Sequence, residues 1–148
     1  SAGLLFAAVG GLSIFSGALF GAISDRWGHR VGMGSALLVQ ALAYGVVAFE
    51  TSMVGLAVSV MLFGISAWSM PSIVAAASGD FLGAEHAAAG FAILTLMFSV
   101  GQVAGPAGAG MLAEQTGSFA ASYAISAVLC VTAVALCALL RPPRVVNL

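Results

Sequence analysis

Five uncharged apolar runs are spaced along this chain: Leu4 to Ile23, Val31 to Phe49, Val54 to Ala77, Phe91 to Leu112 and Phe119 to Leu140. None alternates apolar and polar residues, which rules out the ~10-residue alternating segments of a transmembrane β-barrel. At ~1.5 Å rise per residue each run reaches roughly 28–36 Å as a helix. That length suits a bilayer core of ~30 Å with some tilt. The connections are short: Ser24 to Arg30, Glu50 to Met53, Ser78 to Gly90, and Ala113 to Ser118. Only the third has room for extra structure, such as an interfacial turn. The pattern predicts an all-α membrane protein in which residues 1–148 form a single domain of five transmembrane helices.

Composition agrees. The chain is 61% hydrophobic and 6% charged over 148 residues, with a mean hydropathy of +1.14. A soluble fold so apolar would lack polar surface to face water, so the solvent must be lipid. A net charge of −1, with four basic residues that form no patch, excludes nucleic acid as a partner. Cys130 and Cys137 lie seven apart in one apolar run, so their Cα atoms would be roughly 10 Å apart on a helix, beyond bridging distance. No basic n-region or initiator Met marks a cleaved signal peptide.

The arginines set an orientation. Counting spans, Arg26 and Arg30 share a side with Arg141 and Arg144 in the tail, and the opposite connections carry only Glu50 and Glu114. The positive-inside rule makes the arginine side, with the C-terminus, cytoplasmic. Ser1 then lies outside. A start there, with neither Met nor signal, reads as a fragment whose preceding helix has been cut away.

The one dense charge cluster between apolar runs is Gly21-Ala22-Ile23-Ser24-Asp25-Arg26-Trp27-Gly28-His29-Arg30. Set between two spanning segments, it resembles the loop signature of the major facilitator superfamily of transporters. In that family the signature joins the second and third membrane helices, and a degenerate copy joins the eighth and ninth. Here Ser24 and His29 stand where Ala or Gly and Arg are usual. The fourth run holds Gly101-Gln102-Val103-Ala104-Gly105-Pro106-Ala107-Gly108-Ala109-Gly110. Gly101, Gly105 and Ala109 recur every four residues and make a flat face for another helix, with Gly17 and Gly21 spaced likewise in the first run. Pro106 cannot donate to the helix ladder and predicts a kink. This run is similar to the Gly-x-x-x-Gly-Pro-x-x-Gly-Gly motif of facilitator antiporters, which belongs to their fifth helix.

Two assignments therefore stay open: helices two to six of a drug- or metabolite-efflux antiporter, or helices eight to twelve of twelve. Three observations favour the second. The third run lacks the membrane-embedded Arg usual in the family's fourth helix. The loop signature is degenerate. The chain ends in Arg141-Pro142-Pro143-Arg144, soon after the fifth run. The segment from Gly101 to Phe119 further resembles the eleventh-to-twelfth region of the YbfB/YjiJ-type bacterial transporters. The resemblance implies secondary active transport of a small solute by alternating access, in a bacterial inner membrane. The partners would be that solute, the lipid bilayer and a missing N-terminal half, with no cofactor or metal.

No Asp, Glu, Lys, Arg or His lies within any run, so proton coupling would need a titrating carboxylate outside this sequence. Polar atoms at mid-depth are the remaining path candidates: Ser66 and Gln102, with Thr95 and Ser99 on the face of Gln102 by their i, i+4, i+7 spacing. Against each hydroxyl stands the bland alternative of a bond to its own i−4 carbonyl. Trp68 beside Pro71 either stacks on an aromatic or cationic substrate or wedges a kink. Gln40 is expected in an interhelical packing bond, and Trp27 and Tyr44 at the wet edges of the bilayer. The resemblance implies that Asp25 faces the positive end of a helix from the other half. Arg26 and Arg30 can reach Asp80 or Glu85, making a cytoplasmic latch hinged at Gly28, each pair worth only about 0–1 kcal/mol. An intramembrane serine protease needs a buried Ser beside a buried His, and His29 and His86 are both expected in loops. A non-transporting polytopic protein remains the alternative from another class.

Overall fold

A computed structural model describes residues 2–50 and 52–140. Among them are six helices: α1 (Ala2–Trp27), α2 (His29–Phe49), α3 (Met53–Ser66), α4 (Ser69–Leu82), α5 (Ala87–Thr116) and α6 (Ala120–Leu139). They make five stretches long and apolar enough to cross a membrane, because α3 and α4 lie in one stretch, Met53–Leu82. The described residues contain no strand. Arg141 and Arg144, which carry half of the one-sided arginine count, lie outside the described residues.

The helices overrun the apolar runs at several ends. α1 continues through Asp25 and Arg26, and α5 takes in four residues before Phe91 and four after Leu112. Hydropathy marks where the chain leaves hydrocarbon, whereas the hydrogen-bond ladder persists into water until a residue interrupts it. Gly28 interrupts α1 with φ 90°, a conformation that L side chains resist, and its carbonyl then accepts the N–H groups of Val31 and Gly32 to start α2. Ser52 starts α3 as an N-cap, its hydroxyl accepting the Gly55 N–H at 3.0 Å. In the same connection the Ser52 N–H donates to the exposed Glu50 carboxylate at 3.0 Å, and this bond holds the carboxyl below its ordinary range. The expected extra structure after Ser78 reduces to a turn over Gly83–His86.

The central helix is α2. It runs antiparallel to α6, as shown by Arg30 donating to the Ala138 carbonyl at one end and Tyr44 stacking on Tyr123 at the other. It also runs antiparallel to α3, where Ser59 Oγ donates to the Ala43 carbonyl at 2.8 Å. The core joins Phe20 of α1, Met33, Ala36 and Leu37 of α2, Ile73 of α4 and Cys137 of α6. Both cysteines are free, and α6 turns both toward this core. Tyr44 is half-buried between Phe63 and Tyr123. By contrast α5 has no fully buried residue and packs mainly against α4 and α6.

The uncharged run 54–77 predicts one unbroken span, and here the structure differs. The ladder is interrupted at Ala67–Trp68. Pro71 stands at the third position of α4, within the first turn, where a missing N–H removes no internal bond. The interruption is tolerable in an apolar interior because neighbouring side chains hold its backbone groups. Gln40 Nε2 donates to the Ser66 carbonyl at 3.0 Å, Ser69 Oγ donates to the same carbonyl at 2.6 Å, and Ser16 Oγ accepts the Trp68 N–H at 3.1 Å. The packing bond expected of Gln40 is present.

Candidate functional site

At the end of the bundle where α1 meets α2, the joint at Gly28 brings Ser24, on the last turn but one of α1, against His29, which opens α2. The Ser24 hydroxyl and His29 Nδ1 are 2.7 Å apart, and His29 Nε2 lies 2.8 Å from Oδ2 of Asp80 on the last turn of α4. Ser24 is 3% exposed and His29 8%, whereas the Asp80 side chain is 63% exposed. The Phe81 ring lies 6.0 Å from the imidazole. An open cavity of about 710 Å³ surrounds the group, lined also by Asp25, Trp27, Arg30 and, from α6, Val134 and Ala138.

The arrangement departs from the expected latch. His29 is not in a loop; it is the first residue of a helix and is buried. Asp80 pairs with His29, not with Arg26 or Arg30. Arg30 instead donates to the Ala138 carbonyl near the end of α6. Arg26 lies over the Trp27 ring, 5.3 Å from its centroid. Asp25 and Glu85 are exposed, Glu85 in the turn before α5. His29–Asp80 is the one pairing of a basic side chain with a carboxylate among the described residues. A buried Ser beside a buried His is thus present after all. Ser24 packs closely on Gly32, where an added Cβ would come within 2.5 Å of the Ser24 Cβ, and its hydroxyl is engaged with His29. The contacts also place the ends of α1, α4 and α6 and the starts of α2 and α5 at one end of the bundle.

The mid-depth candidates separate into two groups. Trp68 and Thr95 line one cleft of about 370 Å³ between α4 and α5, with Met70, Pro71, Val74, Phe91, Leu94 and Phe98. Ser66 is fully buried behind it, its hydroxyl donating to the Leu62 carbonyl at 2.9 Å. The Thr95 and Ser99 hydroxyls donate to the carbonyls four residues back, both at 2.8 Å, and keep acceptor lone pairs free. Gln102 and Ser99 are exposed on α5 and do not line the cleft. Of the packing candidates, Gly17 faces Ser72 of α4, while Gly21, Gly101 and Gly105 have nothing within 4 Å of an added Cβ. α5 continues as one helix through Pro106.

Two participants escaped the sequence. One is His29, seen only as a departure at the position where the loop signature has Arg. The other is Ser16, for which a serine within an apolar run gave no directional signal.

A five-span helical bundle with a charged Gly28 joint and an interrupted third span thus stands beside the comparisons with known proteins. Residues 1–147 match the family described as Major Facilitator Superfamily. A relative from Agrobacterium vitis named "Putative tartrate transporter" is 31% identical over 141 residues, covering 89% of this chain and 30% of that protein. The chain therefore spans less than a third of the length of this relative. No solved structure matches the chain. With the match running over nearly every residue, the chain belongs to the Major Facilitator Superfamily.

Proposed function

We propose that the protein containing this chain moves a small solute across a bacterial cytoplasmic membrane by secondary active, alternating-access transport, and that residues 1–148 are its helices eight to twelve. The family match over residues 1–147 carries this reading. The assignment to the later half draws on the third span, which has no ionisable side chain. The arginines orient the Asp25–Arg30 end toward the cytoplasm. A periplasm-only reporter fused after Arg30 should therefore be silent and one fused after Glu50 active; the reverse result rejects the orientation.

The solute path, in this reading, passes α5 and the interruption at Trp68. α5 leaves Thr95, Ser99 and Gln102 uncovered, and Trp68 faces the cleft beside them. Tartrate, the solute in the relative's name, carries two carboxylates. None of the five uncharged runs holds a cationic side chain, so a dianion at mid-depth would find its counter-charges elsewhere in the protein. An amide in hydrocarbon is costly without a partner, which makes Gln102 the most informative residue to remove. In the full-length protein, Gln102→Leu should lower the initial transport rate about tenfold, the equivalent of one lost polar contact, at near-normal membrane abundance. Unchanged kinetics would return Gln102 to a structural role, and disappearance of the protein would assign it to packing.

A further inference from the structure

We propose that His29 is a proton-binding site, closing a clasp between the α1–α2 joint and the tip of α4 when it is charged and loosening it when it is neutral. The inference rests on reading this end of the bundle as a conformational latch, and it adds the ligand, a proton, that works it.

Histidine is the side chain that ordinarily gains and loses charge between about pH 5 and 8. His29 is the one ionisable residue, cysteine aside, buried among the described residues. Its two neighbours suit both protonation states. In the neutral ring, Nε2–H donates to Asp80 and the Ser24 hydroxyl donates to Nδ1. In the charged ring both nitrogens donate, and the Ser24 oxygen turns from donor to acceptor by rotating its hydrogen. Neither state strands a buried polar atom, so the proton can come and go without breaking the site. What changes is the charge that faces Asp80.

The surroundings leave that change undamped. The charged groups that line the cavity with His29 are Asp25 from α1, Arg30 from α2 and Asp80 from α4, while Arg26 of α1 lies over Trp27. The two carboxylates outnumber the one guanidinium, so the proton on His29 brings the lining into balance. α6 offers Val134, Ala138 and the carbonyl held by Arg30, none of which titrates. The sign follows directly. The extra attraction to Asp80 is present at low pH and lost as pH rises and the ring gives up its proton.

α4 is placed to transmit the change. It is a 14-residue rod bounded by the interruption at Ala67–Trp68 and, at its other end, by the clasp at Asp80. A rod whose backbone is broken at one end and fastened by the clasp at the other can shift at its tip when the fastening weakens. The cleft with Trp68 and Thr95 lies along its α5 side.

Hydrogen–deuterium exchange on the full-length protein in nanodiscs reads the clasp whether or not any solute is moved, so this idea and the transport reading can fail separately. Exchange in residues 76–86, referenced to a peptide of α6 to remove the intrinsic pH effect, would be followed at pH 6 and pH 8. Wild type should exchange up to about fivefold faster at the higher pH, the range of a single partly exposed pair. His29→Arg should stay slow and His29→Gln fast, each flat with pH. Asp80→Asn, at an exposed position, spares the packed core and should also be flat. A wild type with no pH response, or a response that survives in His29→Gln or Asp80→Asn, overturns the proposal.

Discussion

Gly32→Ala should sharply lower the amount of folded protein in the membrane, while Gly34→Ala, two residues on, should leave it nearly unchanged. A Cβ added at Gly32 would come within 2.5 Å of the Ser24 Cβ and 2.8 Å of the Ser24 Cα. The second atom is backbone, so no rotamer change relieves the contact, and the last turns of α1 must move away from α2. Overpacking of this kind costs about 1–3 kcal/mol. The shift would also draw Ser24 away from His29, so the damage reaches the clasp as well as the core. Gly34 lines the open cavity and has nothing within 4 Å of an added Cβ. Melting of detergent-solubilised full-length protein, followed by fluorescence-detected size exclusion, separates the two. Equal melting temperatures for the two variants would mean that the α1–α2 contact is looser than the structure has it.

The five spans were legible because hydrophobic length is a local property, and twenty uncharged residues already contain the information. The interruption in the third span was not, for a run that stays apolar from Val54 to Ala77 looks alike whether its ladder is whole or broken. What holds the break open comes from α1 and α2, through Ser16 and Gln40, and only Gln40 is long and polar enough to advertise a need for a partner. The charged end shows the same limit. Its residues could be named from the Gly21–Arg30 pattern, but their pairing could not. Arg26 and Arg30 were expected on Asp80 because long cationic side chains have the reach. The tip of α4 instead settles over His29, 51 residues earlier in sequence, and the Arg30 guanidinium finds the unsatisfied carbonyls at the end of α6. Burial turned a residue that read as part of a solvated turn into the centre of the cluster. For α5 the position is reversed. Its glycine spacing was plain in the sequence, yet an added Cβ at Gly101 or Gly105 meets nothing within 4 Å among the described residues, so spacing alone did not say which helix they would pack on.

Ser16→Ala should destabilise the full-length protein more than Gln40→Leu, although glutamine is the larger and more polar residue. The reason is the number of donors and acceptors at the interruption. The Ser66 carbonyl receives two hydrogen bonds, from Gln40 Nε2 at 3.0 Å and from Ser69 Oγ at 2.6 Å. Removing Gln40 leaves it one. The Trp68 N–H is served by Ser16 Oγ from a different helix, and Ser16 is fully buried, so no water stands by to replace the lost oxygen. An amide stranded in an apolar interior costs about 1–3 kcal/mol, whereas losing one of two bonds to a carbonyl costs about 0.5–1.5 kcal/mol. α1 would also lose a tie to the start of α4, where Gly17 still meets Ser72. Thermal melting of both single variants and the double variant tests the ranking. If Gln40→Leu proves the more damaging, the break is held from α2 and not from α1, and the hinge assigned to Ala67–Trp68 would have to pivot against a different helix.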